Sequence, residues 1–385
     1  MLQWVSPTVM YEFPDRDRMT PGPTEVPAAV RERMAEPMPN PDVEPAFFAF
    51  YRDLTENLEA VYYGGRERSG PGGQDDPSDI VVLGGEGILG LEAAIASLVA
   101  DGDRVLCLSN GRYGAGFADF VETYGGEAVV LDVSWHETLE PTAVKDELER
   151  AETDGEPFDV ATMVHCETPT GTLNDLEPIL EMLDDRGIVS VVDAVSSLGG
   201  TPVPTDLIDV CLGASQKCLS APPGVTTAAI SDRAWDRIAA VETPEFYLDL
   251  EPWRTALEEE WFPYSHSTAN LAGLEAATEL LLEEGMESVF DRHDEAARVC
   301  RERAADLALE TFPDAEADCS PTVTALEVDG RAGELQRTLR DEHGIVVATG
   351  LGDLADDVLR IGHMGHNARI ERVERTMDAL GDVLD

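Results

Sequence analysis

The stretch DVATMVHCETPTGTLNDLEPILEMLDDRGIVSVVDA (159–194) decides the fold class of this chain. The apolar run DVATMVHC (159–166) predicts a buried strand, LEPILEMLDDRG predicts an amphipathic helix, and IVSVVDA (188–194) predicts a second buried strand. Strands joined through a helix lie parallel in one sheet. The same alternation runs from DIVVL (79–83) to GVTTAAIS (224–231), and the last of these strands could be antiparallel. We therefore predict an α/β fold with helices on both faces of a mostly parallel, seven-stranded sheet.

The order of elements changes after the helix ANLAGLEAATELLLEEG. Helices then mix with short apolar runs such as TVTALEVDG and VLRIGHMG, which is typical of a smaller α+β unit. We predict an N-terminal arm at 1–18, a large domain at 19–275 and a small C-terminal α+β domain at 276–385. Met19 is a candidate for the true start, because the stretch from MTPGPTEVP onward looks more like the beginning of a domain.

The charge of the chain argues against several classes of function. It carries 77 acidic residues against 27 lysines and arginines, a formal net charge of −50. Nucleic acids and anionic membranes are bound through clustered basic residues, so neither is an expected partner. The sequence has no apolar run long enough to span a membrane, no secretory signal pattern and six dispersed cysteines. We expect a cytoplasmic protein with reduced cysteines and no metal site.

Lysine is nearly absent from this chain, which has only Lys145 and Lys217. Lys145 lies in the charged stretch TAVKDELERAE, which predicts an exposed helix. Lys217 lies in GASQKCLSAPPG (213–224), a tight loop that follows the apolar run DVCL. Lysine forms imines and arginine does not, so a lysine retained in that loop is a candidate for covalent chemistry. A lysine without any special role is the alternative interpretation.

A glycine-rich turn, Gly85-Glu86-Gly87-Ile88-Leu89-Gly90, follows one predicted strand and opens a helix. It has the spacing of a dinucleotide-binding motif, but the next strand, RVLCLSNG, ends without the acidic residue that would hold a ribose. We therefore expect only that its N–H groups bind a phosphate. A carboxylate is unfavourable beside a phosphate, so we expect the Glu86 side chain to point away.

Three further side chains follow strands of the predicted sheet. Tyr113 lies in NGRYG after one strand, Asp193 ends the apolar strand IVSVVD, and Lys217 follows another strand. Ligands of open α/β sheets bind beyond the carboxyl ends of the strands, so these residues and the glycine turn could converge. Together they suit a phosphorylated aromatic aldehyde with a ring nitrogen, which describes pyridoxal phosphate.

Six motifs occur in the order in which one enzyme family has them. The chain resembles the class V aminotransferases of fold type I, and within them the alanine–glyoxylate and serine–pyruvate aminotransferases. The resemblance covers Met19 to the C-terminus. The motifs are TPGPTEV (20–26), SNGRYG (109–114), HCETPTG (165–171), VVDAVSSLGG (191–200), GASQKCLSAPPG (213–224) and LRIGHMG (359–365).

The resemblance implies a role for each candidate residue. Lys217 would carry the imine bond to the cofactor and move the substrate proton, and Asp193 would pair with the pyridine nitrogen. Arg360 would clamp the substrate carboxylate, and Gly22 would line the substrate pocket. The further cofactor contacts would come from Gly87, Ile88, Tyr113, Thr168, Val195 and Gln216.

The resemblance also implies a homodimer with a shared active site. Tyr264 and either Ser267 or Thr268, in PYSHSTAN, would reach the phosphate of the neighbouring subunit. The sequence departs from the family at two places. Glu86 and glycine stand in the phosphate turn where serine or threonine is common, and PYSHSTAN lacks the Thr-Pro often found there.

The expected reaction is transfer of an amino group from alanine or serine to a 2-oxo acid such as glyoxylate or pyruvate. The alternative is a 2-aminoethylphosphonate–pyruvate aminotransferase, which SNGRYGAGF, HCETPTGTLND and YLDLEPW (247–253) resemble. A cysteine desulfurase would need a cysteine near the arginine motif, and residues 345–365 contain none. A nicotinamide oxidoreductase lacks its ribose-binding acid. A non-catalytic binding protein would have no use for the loop lysine.

Acidic residues spread along the whole chain, with almost no lysine, are typical of proteins adapted to high salt. We expect the protein to lose structure or activity at low ionic strength, because its carboxylates then repel one another without screening. Circular dichroism and activity measured across a salt series test this expectation. Full activity in dilute buffer would contradict it.

Overall fold

The computed structural model describes residues 16–66, 80–243 and 245–384. Most of the predicted N-terminal arm therefore lies outside the described residues. The helices, in chain order, are α1 (Ala28–Met34), α2 (Pro45–Tyr62), α3 (Gly87–Leu98), α4 (Arg112–Thr123), α5 (Pro141–Asp154), α6 (Glu177–Asp184), α7 (Asp232–Ile238), α8 (Thr268–Glu284), α9 (Met286–Asp306), α10 (Ala332–Thr338) and α11 (Ile370–Leu384). None of these helices is both long and apolar enough to span a membrane.

Strands alternate with these helices through the first part of the chain. They are β1 (Asp17–Arg18), β2 (Ile80–Gly84), β3 (Arg104–Ser109), β4 (Glu127–Asp132), β5 (Val160–Val164), β6 (Cys166–Glu167), β7 (Thr172–Leu173), β8 (Val189–Asp193), β9 (Val210–Ala214), β10 (Val225–Ile230), β11 (Thr324–Glu327), β12 (Ile345–Val346), β13 (Ala348–Thr349) and β14 (Val358–Ile361).

Seven strands form the central sheet, in the order β2-β10-β9-β8-β5-β3-β4. The pairs between β9, β8, β5, β3 and β4 are parallel, and β10 runs antiparallel to both of its neighbours. Every residue of β5, β8 and β9 is buried, as expected for strands covered on both faces. The prediction of a mostly parallel, seven-stranded α/β sheet is confirmed.

The sheet order places the loops that follow four strands at one edge. Strands β9, β8, β5 and β3 are consecutive neighbours and run in the same direction. The chain leaves their carboxyl ends at Ala214, Asp193, Val164 and Ser109. Lys217, Glu167 and Tyr113 follow within a few residues, so the fold gathers the candidate residues at that edge.

A second hydrophobic core forms around the C-terminal part of the chain. It joins one face of α9 with α10, α11 and the three-stranded antiparallel sheet β11-β14-β13, and Met19 is also buried in it. Arg360 belongs to β14, so the predicted carboxylate clamp comes from this part. The division into domains at 275/276 stays a prediction, and the predicted boundary falls inside α8.

Candidate active site

The Lys217 side chain lies in the turn that follows β9. Its Nζ atom donates a hydrogen bond to the Pro21 carbonyl oxygen at 2.9 Å. Burial lowers the pKa of this amine, and the nearby Arg360 guanidinium lowers it further. The neutral, nucleophilic form of the amine is therefore favoured over that of an ordinary lysine.

Gly22 lies directly against the Lys217 side chain. Its φ angle is +96°, a conformation that residues with a Cβ rarely adopt. A Cβ atom at this position would lie 2.4 Å from Lys217 Cδ and 2.7 Å from Cε. The structure thus brings this predicted pocket residue to the lysine, where only glycine leaves room.

The Asp193 carboxylate ends β8 with only 6% of the residue exposed. Its Oδ1 atom accepts a hydrogen bond from the Val195 N–H at 2.8 Å. Burial raises the pKa of Asp193 to about 6, against the lowering effects of that hydrogen bond and of Lys217. The group is still mostly ionised at neutral pH and can pair with a protonated ring nitrogen.

Val195, in the loop that follows β8, lies against Gly87. A Cβ on Gly87, the first residue of α3, would lie 3.2 Å from Val195 Cγ2. Ile88, the next residue, is 39% exposed and lines a cavity with Tyr113. The first turn of α3 and the expected ring-packing valine are therefore adjacent.

Thr168 is buried at the hairpin formed by β6 and β7. Its hydroxyl shares a hydrogen bond with the Ser196 hydroxyl, and Ser196 directly follows Val195. The sequence did not single out Ser196. The pairing holds the Thr168 hydroxyl against the loop after Asp193, where it could reach a group on a bound ring.

The Arg360 guanidinium reaches the same region from β14. Its Nε atom donates to the Thr349 carbonyl oxygen at 2.7 Å, and Nη1 donates to the Thr168 carbonyl oxygen at 3.4 Å. Burial lowers the pKa of Arg360 to about 10, although Tyr113 and Glu167 oppose this shift. The group remains charged at neutral pH, so it offers a buried cation to a carboxylate.

Glu167 is a site residue that the sequence reasoning missed. It is fully buried, and its carboxylate accepts hydrogen bonds from the N–H groups of Tyr113 (3.1 and 3.2 Å) and Gly114 (3.2 Å). Those N–H groups belong to the first turn of α4, where a carboxylate is favoured. Burial nevertheless raises the pKa of Glu167 to about 7. Glu167 therefore fixes the backbone that carries the Tyr113 ring.

The expected phosphate end of the site contains a carboxylate. Glu86 precedes α3, and its Oε2 atom accepts a hydrogen bond from Gln216 Nε2 at 3.2 Å. The Glu86 carboxylate makes no hydrogen bond to the N–H groups that open α3, and the amide of Gln216 gives it a partner across the turn instead. Gln216 itself is almost fully buried, next to Lys217.

No contact among the described residues joins the segment PYSHSTAN to Lys217. The Tyr264 hydroxyl accepts a hydrogen bond from the N–H of Gly84 in the same chain at 3.2 Å, next to the glycine turn. Ser267 is exposed and Thr268 is half-buried at the start of α8. Their contact with a neighbouring subunit, and the choice between them, stay predictions.

We expect Glu167→Gln to weaken the affinity for pyridoxal phosphate about tenfold, because one acceptor oxygen becomes an NH2 donor and the negative charge facing the first turn of α4 is lost. Absorbance titration and visible circular dichroism of the bound cofactor measure the effect. Asp209→Asn is the matched control, since Asp209 is also a buried carboxylate that accepts from a backbone N–H (Ser190, 2.9 Å) but precedes β9 at the opposite edge. Equal affinity in both variants would contradict this role for Glu167.

We expect Gly22→Ala to slow the reaction of Lys217 with pyridoxal phosphate at least tenfold, because the new methyl group displaces the lysine side chain. Stopped-flow absorbance measures the rate. Gly155→Ala is the control: Gly155 also has a positive φ, +78°, but a Cβ there would meet no atom within 4 Å. If both variants reacted at the wild-type rate, the contact between Gly22 and Lys217 would be irrelevant to the chemistry.

Comparison with known proteins supports a single family. The family profile described as aminotransferase class V matches residues 73–370. The chain is 32% identical over 351 residues to a pyridoxamine–pyruvate transaminase of Mesorhizobium japonicum, covering 89% of this chain and 85% of the relative. It is 32% identical over 316 residues to the alanine–glyoxylate aminotransferase of Oryctolagus cuniculus, covering 79% of each.

Solved structures give the same result. The crystal structure of an alanine–glyoxylate aminotransferase from Nostoc sp. superposes with a TM-score of 0.89 at 28% identity, over 100% of this chain and 98% of the other. Enzymes of this class and fold use pyridoxal phosphate. With the lysine, aspartate and arginine gathered at one edge of the sheet, the chain belongs to the class V aminotransferases of fold type I.

Proposed function

We propose that this aminotransferase moves an amino group from a small amino acid, such as alanine or serine, to pyruvate or glyoxylate. The observation that carries the proposal is the buried Arg360 guanidinium in the same site as Lys217. The names of two relatives include pyruvate and glyoxylate as acceptors, which supports the choice of small 2-oxo acids.

Arg360 suits the α-carboxylate of such substrates. Its Nε and Nη1 atoms donate to backbone carbonyls, while Nη2 makes no hydrogen bond within the described part of the chain. A carboxylate can therefore accept from the free side of the guanidinium. The planar group is held by its own backbone contacts, so little side-chain freedom is lost when the substrate binds.

The substrate side chain is expected to be small and uncharged. Among the arginines of the described ranges, Arg360 is the only one that is buried. A dicarboxylic substrate would bring a second carboxylate into a region without a second buried cation. This favours alanine or serine over aspartate or glutamate as the donor.

Lys217 is placed to move the proton. When bound, the cofactor supplies an electron sink for the substrate's α-carbon. The lowered pKa of Lys217 keeps its Nζ able to take a proton, and the Pro21 carbonyl oxygen orients that atom. Asp193 would offer its negative charge to the ring nitrogen, and Tyr113 and Val195 would shield the ring from water.

The residues fit the ring of pyridoxal phosphate better than its phosphate. Lys217, Asp193 and Tyr113 match an aldehyde, a ring nitrogen and an aromatic face. The first turn of α3 offers N–H groups at Gly87 and Ile88, but the Glu86 carboxylate lies beside them.

The alternative donor, 2-aminoethylphosphonate, draws less support from this geometry. The YLDLEPW segment lies in an aromatic cluster, where Tyr247 stacks on Tyr264 at 4.8 Å and Trp253 packs edge-on against the same ring at 5.2 Å. These contacts account for the segment without a role in donor recognition.

We also propose a cytoplasmic homodimer. Phe246 and Tyr247 are 64% and 58% exposed and lie beside Tyr264. An exposed aromatic patch is typical of an interaction surface, which supports a partner subunit at this place.

We expect protein purified in high salt to give a visible band with pyridoxal phosphate that L-alanine or L-serine bleaches and glyoxylate or pyruvate restores. Lys217→Ala should abolish the band, because no other buried amine lies in the site. Lys145→Ala is the control, since Lys145 is exposed and pairs with Glu149 at 3.6 Å. The measurement is an absorption spectrum before and after each addition.

The outcomes separate the candidate functions. Bleaching by 2-aminoethylphosphonate alone would establish the alternative donor. A band that survives in Lys217→Ala, or no band with any form of the cofactor, would contradict the proposed aminotransferase chemistry.

A further inference from the structure

We propose that the phosphate end of this site is built for an uncharged hydroxymethyl group, so that the chain binds pyridoxal and pyridoxamine in preference to their phosphates. The inference rests on the proposed function, because it uses the same lysine and ring-binding residues. It makes the unphosphorylated amine, pyridoxamine, an amino donor that is exchanged as a substrate.

The Glu86 side chain does not cap its own helix. Glu86 occupies the position before α3 in an extended conformation, and its carboxylate makes no hydrogen bond to the first-turn N–H groups. The carboxylate instead crosses the turn to Gln216 Nε2 at 3.2 Å. The carboxylate thereby links the start of α3 to Gln216, the residue that precedes Lys217.

Gln216 provides a second, independent observation. The residue is 5% exposed, and its Oε1 atom is buried with no hydrogen-bond partner among the described residues. The opposite orientation of the amide would set its oxygen against the Glu86 carboxylate, acceptor against acceptor. An unpartnered buried acceptor of this kind calls for a donor from a bound molecule.

The side chains around the turn therefore offer acceptors. The Glu86 carboxylate and Gln216 Oε1 can accept hydrogen bonds, and Glu86 takes one of the two N–H donors of Gln216 Nε2. A phosphate dianion has acceptor oxygens only and carries a charge of about −1.5 to −2 at neutral pH. An alcohol O–H donates to these side-chain oxygens and can still accept from the N–H groups of Gly87 and Ile88.

The charge of Glu86 affects the pKa values of two other residues of the site. It adds to the rise in the pKa of Asp193 and of Tyr113, in both cases after the effect of burial. The buried Arg360 is held by backbone carbonyls of Thr349 and Thr168 and is not bonded to Glu86. A phosphate would thus be repelled by the like charge of Glu86, a solvent-exposed residue, whereas a hydroxyl would not.

The exchange that follows is balanced. Pyridoxamine gives its amino nitrogen to C2 of pyruvate and becomes the aldehyde pyridoxal, while pyruvate becomes alanine. The amine carbon loses two electrons and the keto carbon gains two. One water enters and one leaves as the carbon–nitrogen bonds form and break. Lys217 transfers the proton between the two carbons, and no further oxidant or reductant is needed.

The test compares two ligands on protein freed of bound cofactor. Pyridoxal and pyridoxal phosphate are titrated separately, and the Lys217-dependent absorbance gives each Kd. We expect wild-type protein to bind pyridoxal at least tenfold more tightly than pyridoxal phosphate. Glu86→Gln should tighten pyridoxal phosphate at least tenfold and change pyridoxal less than threefold. Glu86→Ser serves as a second variant with the same expected direction.

Glu92→Gln is the matched control, because it removes one charge from the same helix, where Glu92 accepts a hydrogen bond from the Tyr124 hydroxyl at 3.1 Å. It should leave both affinities unchanged. Wild-type protein that binds pyridoxal phosphate as tightly as pyridoxal would overturn the inference and leave the aminotransferase intact. If neither ligand gave a Lys217-dependent band, the proposed function itself would fail. Alanine formed from pyridoxamine and pyruvate by dialysed protein is the second readout.

Discussion

The Lys217 amine is kept from bulk water by a loop that begins far away in the sequence. The Pro21 carbonyl oxygen accepts a hydrogen bond from Nζ. Gly22 has no side chain, so the lysine side chain can lie directly against its backbone. Burial lowers the pKa of the amine, which favours its neutral, nucleophilic form more than in an exposed lysine. Arg360 and Asp193 lie close enough to this amine to shift its pKa, so the proposed carboxylate clamp and ring partner surround the proposed nucleophile.

Four ionisable groups share this buried edge, and their charges compensate one another. Asp193 and Glu167 carry negative charge, while Arg360 and Lys217 can carry positive charge. Each is shifted by burial toward its neutral form, and each is pulled back by an opposite neighbour or by backbone N–H groups. Removing one member would leave the remaining charges without compensation, so their effects on stability and on chemistry are coupled.

The sequence predicted the sheet and the strand-end residues because both depend on local patterns. Apolar runs between amphipathic helices indicate strands that alternate with helices, and therefore a mostly parallel sheet. Tyr113, Asp193 and Lys217 follow strands that the structure places in one parallel group. Glu167 was missed because its partners lie 53 and 54 residues away on α4, a separation that no local pattern reveals. The contact between Glu86 and Gln216 was missed for a similar reason, since the two residues are 130 positions apart. The roles proposed for Tyr264, Ser267 and Thr268 would depend on a second subunit, which one chain does not contain.

The scarcity of lysine has a consequence for an enzyme that handles aldehydes. Free aldehydes condense with any accessible unprotonated amine, and most proteins expose many lysines that scavenge them. Here the surface positive charge is carried by arginine, and the second lysine, Lys145, is engaged with Glu149. An aldehyde therefore has few other lysine amines on this protein with which to react instead of Lys217. The scarcity of lysine would thus limit side reactions of an aldehyde with amines other than Lys217.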